Sequence, residues 1–293
     1  MAEQASLTLD RTDPFDLHPA TDYSLNRLAE VFTNVYSDYF FPVKMDAASL
    51  SWIICTQSID LAASRVAAIG DLLAGVIFIS TRGLSQRVAA MGVLPDHRGQ
   101  GLGRRLIRQS IEEARSQGFR RMVLEVIDEN AKALTLYRAM GFEITRRLVG
   151  YERPVMEETS APLDPLEEID PRDVAKAIVH DGTPGLPWQR TADGFYAIQP
   201  PSRAFTIPNC AYAIVSHLTE TAAHLEAILV PRSKRRQGWG TRMLNSLFAA
   251  YPSRTWAVTA TIPEDLAPEF FLDNGFQRGP IRQFEMVLDL IQR

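Results

Sequence analysis

The chain is short of several things that would have decided its class early. It has two cysteines in 293 residues, Cys55 and Cys210, with no CxxC spacing and no histidine cluster nearby. That excludes a cysteine-built zinc site and a disulfide framework, and points to reduced thiols. It has no excess of basic charge: 31 Lys and Arg against 35 Asp and Glu give a net charge of −4. A broad positive field for nucleic acid is therefore excluded. No apolar run approaches the ~18 residues that a membrane span needs. The opening stretch, "MAEQASLTLDRTDPFDL", lacks the basic region and apolar core of a secretory leader. The expectation is a cytoplasmic protein with no nucleic-acid or membrane partner, a monomer or homodimer.

What is present is a core-forming composition, 46% hydrophobic and 23% charged, over a length that suits two domains. The stretch Arg153 to Asp173 is rich in proline and acidic residues and poor in apolar period, which suits a linker. The division expected is 1–153, a linker over 154–172, and 173–293.

Before the linker the pattern alternates between strand and helix. Leu25, Leu28, Val31, Phe32 and Val35 recur at helical spacing. "RVAAIGDLLAGVIFIST" reads as two strands around a Gly-Asp turn, and "RVAAMGVLP" as a third. Leu102, Leu106, Ile107, Ile111 and Ala114 line one face of a strong helix. "RMVLEVI" is a buried strand, and an Asp/Asn-rich turn at 128–130 opens the helix "NAKALTLYRAMGF". After the linker "GFYAIQP", "CAYAIVSHL" and "HLEAILVP" read as strands. "GTRMLNSLFAAY" reads as a helix, "TWAVTATI" as a strand and "LAPEFFLDNGF" as a helical turn. The order strand, loop, helix, strand, helix, Gly-Phe thus occurs twice. Gly101 and Gly238 are 137 positions apart, and Gly141 and Gly275 are 134 apart.

The loop "RGQGLG", residues 98–103, follows a strand and opens a helix. Its glycines remove Cβ atoms, and the first helical N–H groups point outward with the positive dipole end behind them. That suits an anion such as a pyrophosphate. On the loop alone, an anion site and a plain turn fit equally well. It is neither a Walker loop nor a dinucleotide fingerprint in its usual place.

The flanks add more. Val93-Leu94-Pro95, Arg98-Gly99-Gln100-Gly101-Leu102-Gly103, then Asn130, Ala133, Leu136-Tyr137 and Gly141-Phe142 stand in linked order. Over residues 15–153 this resembles the GCN5-related N-acetyltransferase (GNAT) family. The resemblance implies an α/β chain of two tandem GNAT-type folds, each a mixed, mostly antiparallel sheet flanked by helices, the second degenerate. It implies that the amides of Arg98, Gly99, Gln100, Gly101, Leu102 and Gly103 cradle the pyrophosphate of acetyl-CoA. By the same resemblance Met91 and Val93 pair with the pantetheine arm and thioester through their backbone, and Asn130 contacts the arm or supports the strand–helix junction.

For acetyl transfer the amine must lose a proton, the oxyanion needs a donor, and the departing thiolate needs a proton. Tyr137 stands at the family's acid position, and its other reading is a core tyrosine. Glu125, twelve residues earlier, is either a general base or a salt-bridged strand glutamate. The alternative base position, on the strand before the loop, is Ala90. Tyr39, Phe40 and Phe41 form an apolar acceptor wall or ordinary packing. His97 is expected at the solvent edge near the phosphates.

In the second repeat, Lys234, Arg235 and Arg236 are added at the loop. Phe271 replaces the tyrosine, Glu264 the asparagine, and Thr259 the strand glutamate. Glu226 alone keeps an acidic residue, at the alternative base position. The expectation is an acetyl-CoA-dependent N-acetyltransferase acting on a primary amine of a small molecule or peptide, catalytic in its first half. A non-catalytic acyl-CoA-binding protein is the alternative.

Overall fold

The computed structural model describes residues 15–40, 43–156 and 164–291. The N-terminal stretch read for a leader falls mostly outside these residues. Phe41 and the centre of the expected linker lie outside them as well.

The first half runs β1 (Asp16–Pro19), α1 (Leu25–Val35), α2 (Ala47–Gln57), β2 (Ile59–Ile69), β3 (Leu72–Arg82), β4 (Ser85–Val93), α3 (Leu102–Ser116), β5 (Arg121–Ile127), α4 (Ala131–Ala139) and β6 (Glu143–Arg153). The second runs β7 (Glu167–Ile169), α5 (Pro171–Asp181), α6 (Ala192–Tyr196), β8 (Arg203–Ile207), β9 (Ala211–Ser216), β10 (Ala222–Leu229), α7 (Trp239–Ala250), β11 (Thr255–Pro263), α8 (Pro268–Asp273) and β12 (Gln277–Asp289). Local chemistry sets the helix starts. Ser24 accepts from the Arg27 amide, Asp46 from Ser49, and Asn130 from Ala133.

All twelve strands form one sheet in the order β1-β2-β3-β4-β5-β12-β6-β11-β10-β9-β8-β7. Its centre is an exchange. β12, the last strand of the second half, lies between β5 and β6 of the first, and β6 lies between β12 and β11. Each half therefore lends its final strand to the other. The cores follow suit: Met286 and Leu288 of β12 pack with Leu106 and Ile107 of α3, while Val149 and Tyr151 of β6 pack with Met243 and Leu244 of α7.

The structure departs from the sequence reading in several places. "GFYAIQP" is not a strand: Gly194–Tyr196 end the short helix α6, which buries Phe195 in a small cluster with Val174 and Ala175 of α5. Its alternation of small and apolar residues fits either period over so short a run. The strands β1, β6, β7, β8 and β12 carried no signal that was read, and β7 with the start of α5 falls within the stretch 154–172 expected as a linker.

The sheet is pulled apart at one place in each half. β4 and β5 pair in parallel only from Ser85–Val88 against Arg121–Leu124, although both strands run on. β10 and β11 pair only from Ala222–His224 against Thr255–Ala257. In each half a bulge on the first of these strands starts the divergence, at Ala89 and at Glu226.

Candidate active site

The split in the first half is framed by the loop, α1 and α4. Gly99 and Gly101 sit at φ +78° and +86°, where an L side chain is strained, and a Cβ on either would meet nothing within 4 Å. The space around both glycines is open at the start of α3, as an anion site requires. Its six expected residues are brought together there, and Gln100 braces the turn by donating to the Asp96 carbonyl at 3.2 Å. The Arg98 side chain turns back toward the protein. Its Nε donates to the Val93 carbonyl at 2.9 Å, one Nη2 bond reaches the Val35 carbonyl at 3.0 Å, and a fork closes on Asp38.

The second loop repeats this architecture. Arg235 Nε donates to the Val230 carbonyl at 3.1 Å and Gln237 to the Ser233 carbonyl at 3.1 Å. Gly238 opens α7 at φ +81°, and Arg236 takes φ +60° in the place of Gly99. This alignment sets Glu226 opposite Ala89, since both are bulge residues, rather than opposite Ala90. Counting back from Gly101 and Gly238, 137 positions apart, gives the same pairing, whereas counting from Pro95 and Pro231, 136 apart, gives Ala90.

α1 lies flush against β4, because a Cβ on Gly92 would fall 2.4 Å from Val35 Cγ2. That contact delivers a residue the sequence did not flag. The Tyr36 hydroxyl donates to the Met91 carbonyl at 3.0 Å and accepts from the Met91 amide at 3.2 Å. The strand backbone expected to pair with a pantetheine arm is therefore already paired at Met91. The Val93 carbonyl is likewise taken, by Arg98. Burial pushes the Tyr36 phenol well above its ordinary range, with Tyr137 and Tyr39 adding to it.

Tyr137 is buried on α4 and meets Phe142 edge-on at 5.9 Å between ring centroids. Burial first, and then Tyr39, raise its phenol far above the usual value, so it holds its proton across neutral pH. Tyr39 hydrogen-bonds the Asn130 side chain and stands 5.0 Å from the Tyr36 ring. Three tyrosines and Asn130 thus gather where α1, β4 and α4 meet. Phe40 packs on Tyr39 at 5.1 Å and is 48% exposed. His97 packs its ring edge-on to Phe15 at 5.7 Å.

Glu125 is the first residue of β5 past the last pair with β4. Its Oε2 accepts from Nε and Nη2 of Arg87, both at 2.7 Å, and its side chain is only 3% exposed. Oε1 is buried and has no partner. Glu125 is thus one half of a buried ion pair with one carboxylate oxygen left over.

The second half is built differently at this depth. Arg190, 5% exposed, is driven into the split between β10 and β11. Its Nε donates to Thr261 Oγ1 at 2.7 Å, Nη2 to Thr259 Oγ1 at 2.5 Å, and Nη1 to the Glu226 carbonyl. Glu226 is in turn held by the Ser216 hydroxyl. A cavity of 620 Å³ lies outside this plug, lined by Leu229, Lys234, Gly238, Trp239, Phe270 and Arg190 among others. The second cleft is open at the loop end and closed where chemistry would occur.

Residues 28–142 match the model of the acetyltransferase (GNAT) family. Over the whole chain, the fold matches a tandem GNAT protein from the clavulanic acid biosynthesis pathway, with a TM-score of 0.68, 15% identity, and coverage of 95% of this chain and 99% of that one. The family match thus lies within the first half, and the whole chain has a tandem GNAT fold. A GCN5-related N-acetyltransferase from Sphaerobacter thermophilus gives the same picture, at TM-score 0.67, 14% identity, and 96% and 97% coverage.

In sequence, the chain is 43% identical over 79 residues to streptothricin acetyltransferase of Streptomyces lavendulae, covering 26% of this chain and 41% of that protein. It is 41% identical over 56 residues to the L-amino acid N-acyltransferase MnaT of Escherichia coli, covering 19% and 33%. The matches thus span less than half the length of these curated relatives. No helix among the described residues is long and apolar enough to cross a membrane.

Proposed function

We propose that the first half of this GNAT protein is an acetyl-CoA-dependent N-acetyltransferase, passing the acetyl group directly to a primary amine of a small molecule or peptide in a ternary complex. The observation that supports the reading is the split after Val88 and Leu124, with the glycine loop following β4, Glu125 next along β5 and Tyr137 buried on α4 behind the Asn130 cap. The loop amides from Arg98 to Gly103 hold the pyrophosphate. Asn130 fixes the start of α4 and orients Tyr39. The arm enters along Met91 and Val93, and the Tyr36 hydroxyl gives up the Met91 backbone to it.

Glu125 Oε1 accepts a proton from the amine, directly or through water, as the nitrogen attacks the thioester carbon. Tyr137 donates its proton to the sulfur as the C–S bond breaks. A phenol raised by burial is a weak acid, yet it loses nothing to bulk solvent before the thiolate forms. Relatives named for streptothricin and for L-amino acids support an amine acceptor of modest size.

For the second half the reading is a fold that builds and supports the first without transferring acetyl groups. Phe271 has no proton to give, and Arg190 fills the depth of the cleft.

The test is release of free thiol from acetyl-CoA with a broad panel of amines, amino acids, peptides and aminoglycosides. Transfer to at least one acceptor is expected. A protein that binds acetyl-CoA and serves none of them would be a binding protein.

A further inference from the structure

β5, β12 and β6 lie side by side, and their register sets Glu125 opposite Glu285 and Glu285 opposite Arg146. Directly opposed residues share a face of the sheet, and the Arg87–Glu125 pair extends the row onto β4. Across four strands the charges run plus, minus, minus, plus. Glu125 uses one oxygen for Arg87 and keeps Oε1 buried without a donor. Glu285 takes Arg146 on Oε2 at 2.9 Å. The other arm of Arg146 donates to the Gly185 carbonyl of the second half at 2.7 Å, and its buried Nε has no partner.

A buried carboxylate oxygen with no donor is costly. The nearest relief within the row, apart from Arg87, is Arg146. The two residues are two strand spacings apart, roughly 10 Å between backbones, which a long arginine and a glutamate span together. Glu285 stands between them and holds the guanidinium on its own side.

We infer that Glu285 is a positioning residue for the acceptor site of the first half. By keeping Arg146 engaged, it leaves Glu125 Oε1 unpaired, with its lone pairs free for the amine proton once substrate is bound. The inference rests on the reading of Glu125 as the base in acetyl transfer. It gives the second half a part in the chemistry of the first, because the strand that carries Glu285 comes from the far end of the chain.

Glu285→Gln keeps the shape and removes the charge that retains Arg146. In steady-state transfer to whichever amine the panel identifies, kcat falls roughly 100-fold, while KM for acetyl-CoA stays within about twofold. Glu285→Asp keeps most of the rate. The double variant Glu285→Gln/Arg146→Met recovers to within about fivefold of wild type, since no guanidinium remains to swing across. A double variant no faster than Glu285→Gln alone overturns the inference, because a merely structural glutamate would not be rescued by a second loss.

A crystal structure of Glu285→Gln decides the matter without turnover. The Arg146 guanidinium on Glu125 Oε1 supports the inference, and a guanidinium still against Gly185 overturns it. If wild type transfers to no amine, the acetyltransferase reading fails by its own test, and the crystallographic arm still decides whether Glu285 restrains Arg146.

Discussion

Arg98 and Asp38 meet fork to fork, Nη1 to Oδ2 at 2.7 Å and Nη2 to Oδ1 at 2.8 Å, and so fasten the glycine loop to the end of α1. The Arg98 hydrogen bonds hold the Asp38 carboxyl below its ordinary range. Both groups are exposed, so the ion pair stabilises the fold little. Its effect is on loop geometry, together with the Arg98 bonds to the Val93 and Val35 carbonyls. Arg98→Ala is expected to weaken acetyl-CoA binding about tenfold by calorimetry, with Asp38→Asn milder because the carbonyl bonds survive. A depressed folded-state carboxyl contributes above its unfolded value and is lost only as pH falls through the lower folded one. On this account affinity stays flat from roughly pH 5 upward, above the ordinary aspartate value near 3.9.

The two loops share a frame and differ in consequence. Gly101→Glu puts a carboxylate into the open cradle, at a φ that a side chain resists, and is expected to abolish acetyl transfer. Gly238→Glu makes the same change in the second loop, and the rate should stay within about twofold. Equal loss from both variants in a thiol-release assay would mean that the second loop takes part in turnover.

Much of this was legible beforehand, because it depends on local spacing. The loop, the cap at Asn130 and the helical face with Leu106 and Ile107 are each written within a few residues. The strand exchange was not legible, since nothing local in "QRGPIRQFEMVLD" names a partner 125 or more residues away. Glu285 opposite Glu125 and Tyr36 on Met91 are invisible for the same reason. Both are products of register and close packing, and the extra residue between Pro231 and Gly238 is what set Glu226 against Ala90 rather than Ala89.

Tyr137→Phe removes the proton donor and little volume. Transfer should fall by about 10²–10⁴-fold with acetyl-CoA affinity kept. A variant with the full rate at every pH would strip Tyr137 of its role. Restoring a tyrosine in the second half, Phe271→Tyr, should create no second active site, because Arg190 fills the split there.

Tyr36 competes for the backbone that an arm would use. Tyr36→Phe leaves the Met91 amide and carbonyl free, and one neutral hydrogen bond is worth about 1 kcal/mol net. Acetyl-CoA should therefore bind roughly fivefold tighter. Weaker binding would show instead that the hydroxyl contacts the ligand.

His224 offers a pH-dependent handle between the halves. Its ring lies 4.9 Å from His217, which in turn faces Trp52 of α2 at 6.4 Å. Burial lowers the His224 pKa first, and His217 and Arg190 add to that against the pull of Glu226. With the folded value depressed, the unfolded chain binds the extra proton more readily. Stability is then fully present above the unfolded value near 6.5 and is lost as pH falls through the folded one. Melting temperature should drop as pH falls below roughly 6.5, and His224→Gln should flatten that first part of the decline while leaving the steeper acid unfolding of the carboxylates in place. An unchanged slope in the variant would move the titrating group elsewhere.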